Sequence, residues 1–300
     1  MFKRKILSKL EAWKQYERHK PLILRGARQV GKTTIVNEFG SQFDNYLYFN
    51  LEMSESVRLF EMDIPLNDLV NMLFASLGKS QKEGSTLIFI DEIQNSPKTI
   101  ALLRYFYEQR PDLYVIAAGS LLENLVDVNV SFPVGRVMYL ALRPCSFYEF
   151  LGAIGKNNLL TILSQKAEYT IAFHEQLMHQ FNQYTIIGGM PEAVQHYAET
   201  QDIIAIEDVY ETLVQAYKDD SEKYARSNKL TDVVRFILSY GWAFSGETIT
   251  LGNFANSGYK SREVGEAFRL LERAMILELV YTVSSTQMTI FPENKRMPKL

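Results

Sequence analysis

The stretch LILRGARQVGKTT, Leu22 to Thr34, decides how the chain folds around it. Leu22 to Leu24 read as a buried strand, and the TTIVNEF that closes the loop can open a helix. Between them, Gly26 to Thr33 fits the phosphate-loop pattern G-x-x-x-x-G-K-[ST]. The two glycines let backbone amides turn inward round a phosphate. Lys32 can reach the terminal phosphates, and Thr33 offers a hydroxyl to Mg²⁺. The positive end of the following helix faces the same anion. Gly26, Arg28, Gln29, Val30, Gly31, Lys32, Thr33 and Thr34 are therefore expected to cradle the phosphates of a nucleotide.

Holding a nucleotide does not imply cleaving it, which needs a carboxylate beyond the magnesium ligand. The segment TLIFIDEIQ supplies an apolar run, Leu87 to Ile90, followed by Asp91 and Glu92. Asp91 at a strand tip would share the metal with Thr33, and Glu92 would orient or deprotonate the attacking water. Ser120, in LYVIAAGSLLENL, either contacts the γ-phosphate or lytic water, or caps a helix. Arg136, in FPVGRVMYLAL, either stabilises the transferring phosphoryl group, in cis or from a neighbouring subunit, or is a surface arginine. The expected catalytic set is thus Glu92, Lys32, Arg136 and Ser120, with Thr33 and Asp91 on the metal.

Outward from the loop, short apolar runs alternate with helical segments. Strands are expected at Leu22–Leu24, Tyr46–Leu51, Leu87–Ile90, Tyr114–Ala118 and Val137–Leu142. Helices are expected near 4–18, 32–40, 66–77, 98–109 and 120–126. This order predicts an α/β fold with a mostly parallel sheet covered on both faces. Beyond residue 150 the pattern turns helical, over 158–183 and 203–225, joined by the glycine and proline turn IIGGMPEAV. From Lys229 the order is helix, short helix, tight turn, longer helix and strand, as in a winged helix. The expected divisions are 1–20 (basic helix), 21–150 (ATPase core), 151–225 (helical connector or lid) and 226–300 (winged helix).

Composition agrees with a globular chain of 300 residues, 47% apolar and 22% charged. Net charge is −3, yet residues 1–32 carry ten Lys/Arg against two Glu, a local charge of +8. A single cysteine, Cys145, excludes an internal disulfide and a thiolate metal cluster, and its flanks suggest a small packing residue. The charged N-terminus lacks the apolar core of a signal peptide, and no apolar run is long enough to span a bilayer. A cytoplasmic protein without membrane contact is expected, its only ion arriving with the nucleotide. His174 and His179 are five apart, a poor ligand spacing on a helix.

Together these residues resemble a large family of prokaryotic ATPases with an AAA-type core and a C-terminal domain of unknown function containing a winged helix. The matching elements are LRGARQVGKTT, IFIDEIQ, AAGSLL, GRVMYLALRPCSFYEFL, YTIIGGMPEAV and YKDDSEKYA, spanning nearly the whole chain. The resemblance implies a P-loop core with strand order 5-1-4-3-2. It implies Lys32, Thr33, Asp91 and Glu92 as ATP and magnesium residues, Ser120 as the first sensor, and Arg136 as the Gly-Arg position. Ala27 stands where proline is usual and Cys145 where leucine is usual. Family members generally continue past a PKL-like segment into a restriction-endonuclease-like region, whereas this chain stops at RMPKL.

For the second half, the helix expected at 260–274 carries Lys260, Arg262, Arg269 and Arg273 against Glu263, Glu266 and Glu272. That balance leaves open duplex DNA binding, a protein-contact module and a lid. The +8 stretch is a second candidate nucleic-acid contact, although Arg25, Arg28 and Lys32 lie in or beside the phosphate loop. Asp219, Asp220 and Glu222 read as a solvated helix end or an interface rather than a metal pair. Two functions compete: an ATP-hydrolysing switch acting on its C-terminal region, and a nucleotide-gated DNA-binding or regulatory module with little hydrolysis. Partners follow from each: ATP, duplex DNA, a protein or a second copy of the chain.

Overall fold

Strands β1 (Leu22–Arg25), β2 (Asn45–Asn50), β3 (Thr86–Asp91), β4 (Leu113–Gly119) and β5 (Met138–Ala141) form one parallel sheet in the order β2-β3-β4-β1-β5. The order is the one the family resemblance implies. This computed structural model describes residues 2–119, 133, 135–165, 167–225, 227–283 and 297–300. Every residue of β3 is buried, because a parallel strand covered by helices on both faces has no solvent side. β5 lies at an edge and alternates half-buried with exposed positions.

Register places the working ends of the strands together. Arg25 at the end of β1 pairs with Gly119 at the end of β4, and Asn50 of β2 with Asp91 of β3. The phosphate loop and the Asp91–Glu92 pair therefore leave the same edge of the sheet, separated by β4. That strand ends in Ala117, Ala118 and Gly119, small residues that leave room between them. This edge is where parallel α/β sheets bind ligands.

Helices α1 (Ile6–Lys14), α2 (Lys32–Gly40), α3 (Ser54–Phe60), α4 (Leu66–Ser76) and α5 (Pro97–Gln109) accompany the sheet. Of these only α3 has no counterpart in the periodicity. In α1, Ile6, Leu7, Leu10 and Trp13 are buried, and the Trp13 indole donates to the Lys20 carbonyl. His19 stacks on Tyr114 of β4 at 3.9 Å between ring centres. The core beside β2, β3 and β4 gathers Leu47, Phe49, Phe60, Leu73, Ile88, Ile90, Leu103 and Phe106. The helix expected at 120–126 lies outside the described residues.

Past the sheet come α6 (Phe147–Ala153), α7 (Asn157–Leu163), α8 (Ala167–Ala172), α9 (His174–Ile187) and α10 (Pro191–Thr200). The helical stretch expected over 158–183 is divided among α7, α8 and part of α9. The breaks let Leu159 and Leu177 both pack on Leu151, which one straight helix would not allow. The segment read as a glycine and proline turn also needs correction. Only Gly188 and Gly189 turn, and Pro191 starts α10 at a first-turn position that tolerates its missing N–H.

The chain divides into two compact units, residues 1–207 and 208–300. The second begins with α11 (Glu207–Tyr224), followed by α12 (Asn228–Tyr240) and α13 (Ser261–Arg273). Val233, Val234 and Ile237 of α12 and Val264, Ala267, Phe268 and Leu271 of α13 are buried. A one-turn 3-10 helix, Phe254–Asn256, precedes α13. Lys299 forms antiparallel bridges with both Thr248 and Val280, so the strand expected after α13 is a single bridge among the described residues.

Candidate nucleotide site

The loop from Gly26 to Gly31 is built by two different glycine requirements. A Cβ on Gly26 would lie 2.4 Å from the Leu142 carbonyl oxygen and 2.9 Å from Val30 Cγ2, so Gly26 is needed for close packing against the end of β5. Gly31 instead adopts φ +89° as the residue capping α2, a left-handed conformation that a side chain would strain. Val30 is fully buried and anchors the loop between them.

Lys32 is buried, and its Nζ donates to the carbonyls of Gly26 at 3.0 Å and Ala27 at 2.9 Å. Burial lowers the pKa of its ammonium, Glu92 and Asp91 pull the other way, and Arg28 adds to the lowering. No acidic residue occupies the first turn of α2, so nothing there competes with an incoming phosphate.

Thr33 Oγ1 donates to Asp91 Oδ2 at 2.6 Å. Asp91 is buried, and this burial raises its carboxyl pKa; the Thr33 hydroxyl and the Glu92 backbone amide, which donates to Oδ1 at 3.0 Å, offset part of the rise. A hydroxyl and a carboxylate brought to one point are the hard oxygen donors that suit Mg²⁺. Glu92 follows in the left-handed region, φ 53° and ψ 43°, and its Oε2 accepts a hydrogen bond from Gln94 Nε2. Gln94 Oε1 is buried without a protein partner. Gln94 stands in the quoted IFIDEIQ, yet its positioning of Glu92 was not foreseen. The turn is held from behind by Ser96, whose hydroxyl caps α5 at Thr99.

An open cleft of about 690 Å³ runs along this edge, lined by Arg28, Gln29, Gly31, Lys32, Thr33, Thr34 and Glu92. Its other walls come from Phe2, Arg4, Glu52 and the α10 residues Pro191, Glu192, Gln195, His196 and Glu199. The α10 wall was absent from the sequence reading. Its signal was present: Ala193, Val194 and Tyr197 form the buried stripe of a helix, which turns the intervening polar residues outward. His196 Nδ1 is buried and makes no hydrogen bond.

Two expected catalytic residues do not line the cleft among the described residues, for different reasons. Ser120 lies outside the described residues. Arg136 precedes β5, and Met138 pairs with Leu22 at the start of β1, so Arg136 sits at the sheet edge opposite the phosphate loop. There its Nε bonds Glu108 Oε1 at 3.2 Å. The direction of the parallel strands thus sets Arg136 away from Lys32 within one copy of the chain.

Part of the basic N-terminal stretch is used within the fold. Arg4 is buried against Glu149, Lys5 lies over the Tyr148 ring at 3.6 Å, and Lys14 donates to the Gln42 carbonyl above the Phe43 ring. Cys145 is buried, which pushes its thiol up to about 12, as befits a packing residue. Among the described residues no cluster of three or more His, Cys, Asp or Glu side chains is arranged to hold a metal, and no helix is long and apolar enough to cross a membrane.

Comparison with known proteins bears on the same residues. Residues 18–151 match the family model of an AAA domain, and residues 178–300 match a domain of unknown function. Comparison with curated proteins finds no match. Among solved structures, the Walker-type ATPase PABY2304 of Pyrococcus abyssi aligns over 100% of this chain and 93% of its own at 16% identity, with a TM-score of 0.57. The Aeropyrum pernix ORC2 protein, solved as ADPNP and ADP complexes, aligns over 93% of this chain and 88% of its own at 12% identity. Its TM-score is 0.45. Sheet order and phosphate loop agree with the family match, and residues 18–151 carry the fold of an AAA-type P-loop domain, ahead of a domain of unknown function.

Proposed function

We propose that the chain binds MgATP at the β1–α2 loop and hydrolyses it, using the cleavage as a switch on its C-terminal unit. The observation that carries this reading is the joining of Thr33 to Asp91 at 2.6 Å with Glu92 beside them in the cleft. Gly31, Lys32 and the start of α2 would bind the β- and γ-phosphates. Thr33 and Asp91 would hold Mg²⁺, which when bound neutralises charge developing between the β- and γ-phosphates. Glu92 would take the proton of a water attacking the γ-phosphorus as the bond to the β–γ bridging oxygen breaks, leaving ADP and phosphate. Gln94 would fix the orientation of that carboxylate. Arg136 would act only in trans, on a nucleotide held by a second copy. The test is phosphate release from MgATP: Glu92→Gln should abolish it while ATP binding persists, and undiminished turnover in that variant would overturn the assignment.

A second reading, nucleotide-gated DNA binding, is favoured by one observation in the second unit. Its element order and the two bridges to Lys299 support reading it as a winged helix, with α13 as the recognition helix. The acids of α13 are partly engaged: Glu263 pairs with Lys229 and accepts from the Lys260 amide, and Glu272 accepts from the Leu279 amide. Exposed Arg262 and Arg269, seven residues apart on one helix face with Gly265 between, line a cleft of about 670 Å³. Salt-sensitive duplex affinity that Arg262→Ala/Arg269→Ala removes, and that ATP alters, would support this function. No binding at low salt would overturn it in favour of a protein partner.

A further inference from the structure

We infer that the buried Arg4–Glu149 pair is a positioning device that aims the phosphate loop, mounted on the segment Arg143–Glu149, which also carries the α10 wall of the cleft. Arg4 reaches three elements at once. Its Nε donates to Glu149 Oε1 at 3.0 Å, its Nη1 to the Val30 carbonyl at 3.2 Å, and its Nη2 to the Arg143 carbonyl at 2.7 Å. The Val30 contact is the consequential one. Val30 C=O and Gly31 N–H share a planar trans peptide and point in opposite directions. Holding the carbonyl against Arg4 therefore holds the Gly31 amide away from it, toward the phosphate side of the loop. Gly31 has no side chain of its own to set this orientation.

A buried guanidinium needs a paired carboxylate, and Glu149 is itself fully engaged. Its Oε1 also accepts the Lys5 amide at 2.8 Å, and its Oε2 accepts the Ser146 amide at 2.8 Å and hydroxyl at 3.0 Å. The same segment grips the other wall. The Cys145 amide donates to the Gly189 carbonyl at 2.6 Å, and the Tyr184 hydroxyl donates to the Cys145 carbonyl at 2.7 Å. A Cβ on Gly189 would meet that carbonyl oxygen at 2.4 Å. Two residues on, Pro191 brings its ring within 3.9 Å of a Cβ built on Gly31. Loop and wall thus take their positions from one seven-residue mount.

This inference rests on the nucleotide reading of the cleft. It is tested by titrating fluorescent ATP and ADP analogues into the unaltered chain, Arg4→Met, Glu149→Gln and the double variant, each well below its melting temperature. Phe106→Ala, a packing defect in the sheet core, serves as the control for lost stability alone. Each single variant should weaken both nucleotides by about tenfold or more, the double variant should bind no worse than Arg4→Met, and the control should stay within about twofold. Arg4→Lys, which keeps the charge but not the forked donor, should recover melting temperature without recovering affinity. Affinity within about twofold of the unaltered chain in folded Arg4→Met and Glu149→Gln, or fully additive losses in the double variant, would overturn the inference. Absence of saturable binding by the unaltered chain would instead overturn the nucleotide reading itself.

Discussion

Thr33 and Asp91, 58 residues apart in sequence, share a 2.6 Å hydrogen bond across the small-residue end of β4. The contact places both expected metal ligands at one point, at the cost of burying a carboxylate. Asp91 has its carboxyl pKa raised by that burial from the ordinary 3.8. Such a group favours folding below the ordinary value and loses that contribution as pH rises through its raised value, so at neutral pH the ionised form costs stability. Asp91→Asn should raise the melting temperature of the nucleotide-free protein at neutral pH by a few degrees, about 2–4 °C per kcal/mol. The same variant should lose Mg²⁺-dependent ATP hydrolysis. Calorimetry with and without nucleotide checks both halves, and a lower melting temperature would contradict the first.

Glu92 and Gln94 should separate in kinetics. Glu92→Gln removes the proposed base and should lower kcat by about 10²–10⁴-fold. Gln94→Ala leaves the carboxylate but frees its orientation, so a smaller loss of kcat is expected, with KM for ATP little changed. Steady-state assays of the two variants decide the order, and equal losses would make Gln94 more than a positioning residue.

Lys32 must be cationic to hold phosphate, and burial lowers its pKa from 10.5. Nucleotide affinity should therefore begin to fall at a pH below the ordinary lysine value. Lys32→Met should be weak at all pH and should flatten the alkaline limb. Equilibrium binding across alkaline buffers is the measurement, with thermal melts confirming that the protein stays folded.

For Glu149, burial opposes ionisation, but the amides of Ser146 and Lys5 and the Arg4 charge outweigh it and hold the carboxyl below 4.5. A lowered carboxyl contributes stability that is full above the ordinary value and is lost as pH falls through the folded one. The unaltered protein should therefore lose stability below pH 4.5 more steeply than Glu149→Gln. Denaturant melts at a series of acid pH values read this directly.

Arg136 lies at the opposite sheet edge from the nucleotide, paired with Glu108. If it serves a neighbouring copy, specific ATPase activity should rise with protein concentration, and Arg136→Ala should abolish that rise while leaving nucleotide affinity unchanged. Activity proportional to concentration throughout would remove Arg136 from the mechanism.

The parallel sheet was legible because β3 and β4 are continuous apolar runs, and the loop was legible because its chemistry needs fixed spacing. Asp91 could be placed from sequence because it ends such a run. The α10 wall was hidden by GGMP, whose turn residues drew attention from the Ala193, Val194 and Tyr197 stripe just beyond. Gln94 was overlooked since a single amide has no periodicity. Arg4 and Glu149 are 145 residues apart, and nothing local to either announces their pairing. The placement of Arg136 follows from strand direction, a property of the assembled sheet rather than of its flanking residues.

The backbone at Glu92 has a further implication. A glutamate held in the left-handed region forgoes roughly 1–2 kcal/mol that glycine would not. Random substitution screened only for heat endurance would thus drift toward glycine at position 92, while screening for turnover would retain glutamate. With Glu92 as the proposed base, position 92 is where durability and chemistry would pull this chain in opposite directions.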